Sequence, residues 1–169
     1  MLKMSFLKMR TISALKKNKN LRASIPYKQA QSIGILFTVE DKQKHTDIKE
    51  LIHLLEQDGK KVRVLEFLPN KKENYEFLFD FFSIEDLSFW GSINSDQAQN
   101  FIQTPFDFLF CIDTTSNQLV LNLLANSKAH CRVGRYNELE SEFFEFMIGQ
   151  NGTTKGLIET MYKYSKQIR

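Results

Sequence analysis

Asp113-Thr114-Thr115-Ser116-Asn117 is the segment of this chain best equipped for chemistry. It follows a near-continuous apolar run, Phe106–Ile112, and precedes a stretch rich in Leu and Val, so it sits where a strand hands over to a helix. A carboxylate at such a strand end can bind a metal or a ribose hydroxyl. Hydroxyls beside the free amides of a helix N-terminus can hold a phosphate. The same residue types are also the preferred helix caps, and the segment reads either way. Arg132 and Arg135 flank Val133-Gly134 at the end of the next apolar run and can face the same crevice. The candidate ligand-binding set is therefore Asp113, Thr114, Thr115, Ser116 and Arg135, for a nucleotide or a sugar nucleotide.

Other routes to catalysis lack their parts. The first strand-to-helix loop, Glu40-Asp41-Lys42-Gln43-Lys44-His45-Thr46, has none of the glycines a pyrophosphate needs for close backbone approach. Its acids repel phosphate; it is either a solvated helix start or a magnesium ligand. Gly149-Gln150-Asn151-Gly152-Thr153-Thr154-Lys155-Gly156 has Thr-Lys-Gly where a phosphate loop needs Gly-Lys-Ser/Thr, and it reads as a turn with a Thr cap. No Ser is paired with a His and no thiol sits beside a base. Cys111 and Cys131 lie in apolar runs as buried free thiols, and His45, His53 and His130 show no ligand spacing. No cofactor and no metal are implied, and the balance leans away from an enzyme.

The charge distribution is more informative. Lys3, Lys8, Arg10, Lys16, Lys17, Lys19, Arg22 and Lys28 precede the first acid, Glu40, so residues 1–39 carry +8. The remaining 130 residues hold 15 basic and 20 acidic side chains, a balance of −5. A basic arm ahead of a mildly acidic body suits RNA or a ribonucleoprotein, an anionic lipid surface or an acidic protein. A second bias lies at Tyr75, Phe77, Phe79, Phe81, Phe82, Phe89 and Trp90. These aromatics either fill the core, stack on bases, or form a protein interface near Phe89-Trp90.

The elements that position these groups follow from periodicity. A helix is expected over residues 2–19. Its apolar stripe is ragged, since Leu2, Phe6, Met9 and Ile12 share one side while Leu7 and Ala14 fall on another. That raggedness places RNA ahead of a membrane surface. Strands are expected at Ile33–Val39, Lys61–Phe67, near Leu78–Ser83, at Phe106–Ile112, at His130–Val133 closed by Gly134, and at Phe143–Ile148. Helices are expected from Thr46 or Asp47 to Asp58-Gly59, over Asp96–Gln103 with Ser95 as cap, after Asn117, and over Thr153–Gln167. Strands alternating with helices specify one three-layer Rossmann-like α/β domain, residues 31–169, with a mostly parallel sheet of five or six strands. Residues 1–30 precede it as a basic helix or arm. No apolar run reaches the roughly 20 residues a membrane span needs, and the start of the chain lacks a signal-peptide pattern. The expectation is a soluble, cytoplasmic protein.

Four segments carry a resemblance: Ser32-Ile33-Gly34-Ile35-Leu36, Leu87-Ser88-Phe89-Trp90-Gly91, Phe106-Asp107-Phe108-Leu109 and Ser127-Lys128-Ala129-His130-Cys131-Arg132-Val133-Gly134. With Phe146-Met147-Ile148 they make the chain resemble an uncharacterised family of small Bacteroidota proteins, which implies no activity. A looser similarity over Phe106–Arg135 is to the N-terminal half of heptosyltransferase-type glycosyltransferases, and it implies the fold more than sugar transfer. The leading expectation is a non-enzymatic module docking to an anionic partner through Lys3, Lys8, Arg10, Lys16, Lys17, Lys19 and Arg22. The alternative is a ligand-binding or transferase-like domain using the Asp113 crevice.

Overall fold

The alternation of apolar runs resolves into six strands, β1 (Ser32–Thr38), β2 (Lys61–Phe67), β3 (Asp80–Phe82), β4 (Phe108–Cys111), β5 (Cys131–Arg135) and β6 (Phe146–Ile148). All pair in parallel, in the order β3-β2-β1-β4-β5-β6. The helices are α1 (Leu2–Asn18), α2 (Lys42–Gln57), α3 (Asp96–Gln103), α4 (Gln118–Asn126) and α5 (Thr154–Ser165). This is a computed structural model, and it describes residues 1–75, 78–149 and 152–169. Phe77 of the aromatic group and Gln150 and Asn151 of the glycine turn lie outside the described residues.

Because side chains alternate across a strand, each central strand supplies two cores. Ile33, Ile35 and Phe37 of β1 join Phe108 and Phe110 of β4 under α2 and α5. Leu36, Leu65, Leu109 and Cys111 face the other way, under α3 and α4. Each fully buried Phe or Leu stabilises the fold by about 1.5–3 kcal/mol relative to exposure. The chain order reverses between β1 and β4, which puts the crevice of a doubly wound sheet at Thr38 and Asp113.

The helix α4 is buried on every side, from Leu119 to Ala125, because α1 packs along it. The raggedness of α1 is thereby explained. Leu7, Thr11, Ala14 and Asn18, spaced by four, three and four residues, form a narrow inner face. Leu2, Met9 and Ile12 lie on the outer side, each more than half exposed. One helix carries two apolar stripes, and only the inner one is spent on the fold.

Several expected limits shift, β4 for instance narrowing from Phe106–Ile112 to Phe108–Cys111, and three shifts have a visible cause. Helix α2 begins at Lys42, capped by Asp41, whose carboxylate accepts from the Lys44 amide at 2.8 Å; Thr46 and Asp47 are in its second turn. The cap set the start, and the Asp47/Glu50 spacing was incidental. Strand β5 runs through Gly134 to Arg135. Gly134 does not close the strand; it leaves room for the Phe144 ring, which a Cβ there would meet. Residues Glu138–Phe143 form 3-10 turns, so the last strand starts only at Phe146.

Candidate functional site

The crevice at the strand ends is filled by its own side chains. Thr38, at the end of β1, donates to Asp113 twice, from its amide to Oδ1 and from its hydroxyl to Oδ2, both at 2.7 Å. The buried Lys44 ammonium adds a third donor at 3.0 Å and also reaches Glu40 at 3.1 Å. Asp113 is thus a strap joining β1, β4 and α2 at the switch point. Asn117 caps α4 by accepting from the Leu119 amide at 2.9 Å and the Val120 amide, so it occupies the donors an anion would use. Ser116 donates to the Glu140 carboxylate, and Arg135 donates to the Ser116 hydroxyl at 3.1 Å. Asp113, Thr115, Ser116 and Arg135 do line one common cavity, but its volume is about 10 Å³. Thr114 is half-buried and is not among the lining residues. Arg132, the other strand-end arginine, is buried and bidentate on Glu145 at 2.7 and 3.0 Å.

Sequence reasoning missed a second polar pair near that end of the sheet. His45 of α2 and Glu66 of β2 are both 0 % exposed and meet at 2.8 Å. The other ring nitrogen of His45 donates to the Asp41 carbonyl at 3.2 Å, so the contact between Nε2 and Glu66 is a hydrogen bond when one proton lies between them. Burial pushes Glu66 up to about 8 and His45 down. Phe37, Tyr75 and Phe79 surround the imidazole. The available signal was a lone Glu between Leu65 and Phe67 in a buried strand. Burial also raises the thiols, Cys111 well above its ordinary range and Cys131 to about 11, so neither is a ready nucleophile. Among the described residues, no three His, Cys, Asp or Glu side chains converge as a metal site requires.

The basic segment is ordered on the surface. Lys8, Arg10, Lys16, Lys17 and Lys19 are exposed and Lys3 is half-buried. Among the described residues, none of these six has a carboxylate at ion-pair distance. Arg22 differs. It donates to the carbonyls of Ser127 at 2.7 Å and Ala129 at 2.5 Å, tying the end of the helix to the body; burial and the nearby Arg132 lower its pKa to about 10. Between α1, α3 and α4 lies a polar recess of about 270 Å³ whose cations are Arg10, Lys17 and Lys128, with no carboxylate in its walls. A larger concavity, about 740 Å³, lies elsewhere, formed by Pro26, Lys28 and residues 166–169.

The aromatic region borders the recess. Residues Ser88 to Ser92 form a tight hairpin, with the Gly91 amide donating to the Ser88 carbonyl at 3.1 Å and the Ser88 amide to the Ser92 carbonyl at 2.8 Å. Its tip presents Phe89 and Trp90, 54 % and 62 % exposed. Core filling therefore accounts for Phe82 but not for these two. Gly91 has φ +77°, and a Cβ there would lie 2.6 Å from the Phe6 carbonyl carbon, so only glycine lets the hairpin sit against the α1 backbone.

A family model of unknown function, DUF6913, matches residues 3–168. The chain belongs to this family. Its extent takes in α1, the aromatic hairpin and the sheet together, so the helix is part of the family's shared unit. No curated protein and no solved structure matches the chain. No described helix is long and apolar enough to cross a membrane.

Proposed function

We propose that this protein is a non-enzymatic Rossmann-like docking module that holds RNA, alone or in a ribonucleoprotein, on the basic face built by α1. The observation that carries this reading is the set of exposed cations along both flanks of a firmly seated helix, none neutralised by a carboxylate among the described residues. Two buried cations of the body, Lys44 and Arg132, are by contrast paired with Asp113 and Glu145. Exposed cations carried by a seated helix give a positive potential that attracts phosphate. The ligand-binding alternative at Asp113 has less support, because that cavity is about 10 Å³ and the Asp113 oxygens already accept three hydrogen bonds.

A membrane surface is the second reading, favoured by the exposed Leu2, Met9 and Ile12 beside Lys8 and Lys16. RNA stands ahead because Arg10, Lys17 and Lys128 line a concave polar recess, which a lipid plane does not fill. The test is binding of a labelled RNA at several salt concentrations, against the variant Lys8→Glu/Lys16→Glu/Lys19→Glu. The expected result is affinity that falls steeply with salt and collapses in the variant. Affinity indifferent to both sinks the reading. Binding to phosphatidylserine vesicles, with none to RNA, replaces it by the membrane reading.

A further inference from the structure

The flank of α1 that carries Arg10 and Lys17 meets the aromatic pair, some 80 residues away in the chain. Arg10 joins them by donating from Nε to the Trp90 carbonyl at 2.7 Å. Phe6 of α1 lies 5.3 Å from the Trp90 ring and 6.1 Å from Phe89, and those two rings are 5.1 Å apart and edge-on. The aromatic tip is thus braced by the helix that carries the cations. An exposed ring pair held rigidly beside a basic recess has the two parts of a single-strand platform, a π-face for a base and a charged track for its backbone.

Resting on the RNA-docking reading, we propose that the partner is single-stranded RNA, with one base stacked on Trp90 and the adjoining phosphodiester held in the recess by Arg10, Lys17 and Lys128. The Arg10 bond to Trp90 uses only Nε, and its two terminal nitrogens have no protein partner among the described residues, leaving a forked donor edge for phosphate oxygens. Lys128 is set in place by Asn18, whose side-chain oxygen accepts from its ammonium at 3.0 Å while the Asn18 amide donates to the Ala125 carbonyl at 2.9 Å. Lys17, in the last turn of α1, also lines the recess and has no carboxylate at ion-pair distance among the described residues. At about 270 Å³ the recess falls just under the ~300 Å³ of small-molecule pockets, which suits a phosphodiester with part of its sugar better than a whole cofactor. A duplex hides its base faces in the stack, so only an unpaired strand can use Trp90 and the recess together.

Trp90 is the only tryptophan, so its emission reports the contact directly. The experiment titrates the full-length protein with a 12-nucleotide oligouridylate and with a duplex RNA of equal length. Tryptophan emission and the anisotropy of labelled RNA are followed together. The single strand is expected to quench Trp90 and to bind more tightly than the duplex. Trp90→Leu, which keeps an apolar side chain against Phe6, is expected to weaken binding about 5- to 150-fold, the range of one base stack. Lys17→Gln and Lys128→Gln are each expected to reduce the slope of log affinity against log salt by about 0.7. Lys28→Gln, outside the recess, serves as the control, and thermal melting confirms that each variant folds. Oligouridylate binding that leaves Trp90 emission and the Trp90→Leu affinity unchanged overturns this inference but not the docking reading. Absence of any RNA binding at low salt overturns both.

Discussion

Two polar regions of this molecule have opposite logic. At the strand ends, Asp113, Thr38, Lys44, Glu40, Ser116, Glu140 and Arg135 satisfy one another around a cavity of about 10 Å³. Beneath α1, Arg10, Lys17 and Lys128 surround about 270 Å³ with no carboxylate in reach of the recess. In the first region every charge has an intramolecular partner, so its worth is structural. In the second the charge is left over after folding and faces solvent and its counterions. In a fold where ligands are expected at the strand ends, the larger of these two polar cavities lies beside the outer helix.

The largest expected effect breaks the first region. Asp113→Ala leaves the Lys44 ammonium, 2 % exposed, without its buried partner and removes both Thr38 bonds. A loss of about 3–5 kcal/mol in urea unfolding is expected. RNA affinity measured well below the new midpoint should stay the same. Gly91→Ala strikes the joint between the regions, since φ +77° and the α1 backbone both oppose a Cβ there. It is expected to cost about 1–3 kcal/mol and to lower RNA affinity as the hairpin lifts from Phe6.

Next comes the His45–Glu66 pair, where Glu66→Ala should cost about 1–3 kcal/mol by stranding a buried imidazole. Its pH dependence has a definite sign. The folded-state pKa of Glu66 is raised from 4.5 to about 8, so its contribution is full below 4.5 and is lost as pH rises towards 8. The lowered His45 pKa acts the other way, costing stability in acid and ceasing to matter above its ordinary value of 6.5. Between 6.5 and 8 only the Glu66 effect remains, so stability falls with pH. Glu66→Gln, which keeps a donor to His45, is expected to flatten that limb in melts across the pH range.

The smallest stability effects belong to the second region. Lys17→Gln in the recess, and Lys16→Gln on the outer side of the same helix, are expected to shift unfolding by no more than about 0.5 kcal/mol, because they remove exposed charges that have no carboxylate at ion-pair distance among the described residues. Their RNA affinities should nonetheless fall. A stability loss as large as that of Asp113→Ala would erase the contrast between the regions.

Local patterns carried much of the fold. The limits of β2 at Lys61–Phe67, of α3 at Asp96–Gln103 and the Ser95 cap were legible because period-two alternation, helical spacing and capping hydroxyls act within a few residues. The parallel sheet followed from strands alternating with helices, and the two buried thiols from their apolar runs. The start of α2 was misplaced because two acids had capping spacing, and only the backbone geometry shows that Asp41 holds the Lys44 amide.

For the candidate surface, the chain itself determined the excess of cations before Glu40 and the exposed-capable pair Phe89-Trp90. The tertiary structure decided that α1 buries Leu7, Thr11, Ala14 and Asn18 and turns its lysines outward, that Gly91 admits the hairpin, and that Arg10 meets Trp90. It also decided that Asp113 is answered by Thr38 and Lys44. The physical reason is the range of the forces. Periodicity and capping are local and leave a mark in the spacing of neighbours. The neutralisation of a charge depends on which distant segment packs against it, and that is settled only when the sheet order and the helix docking are complete.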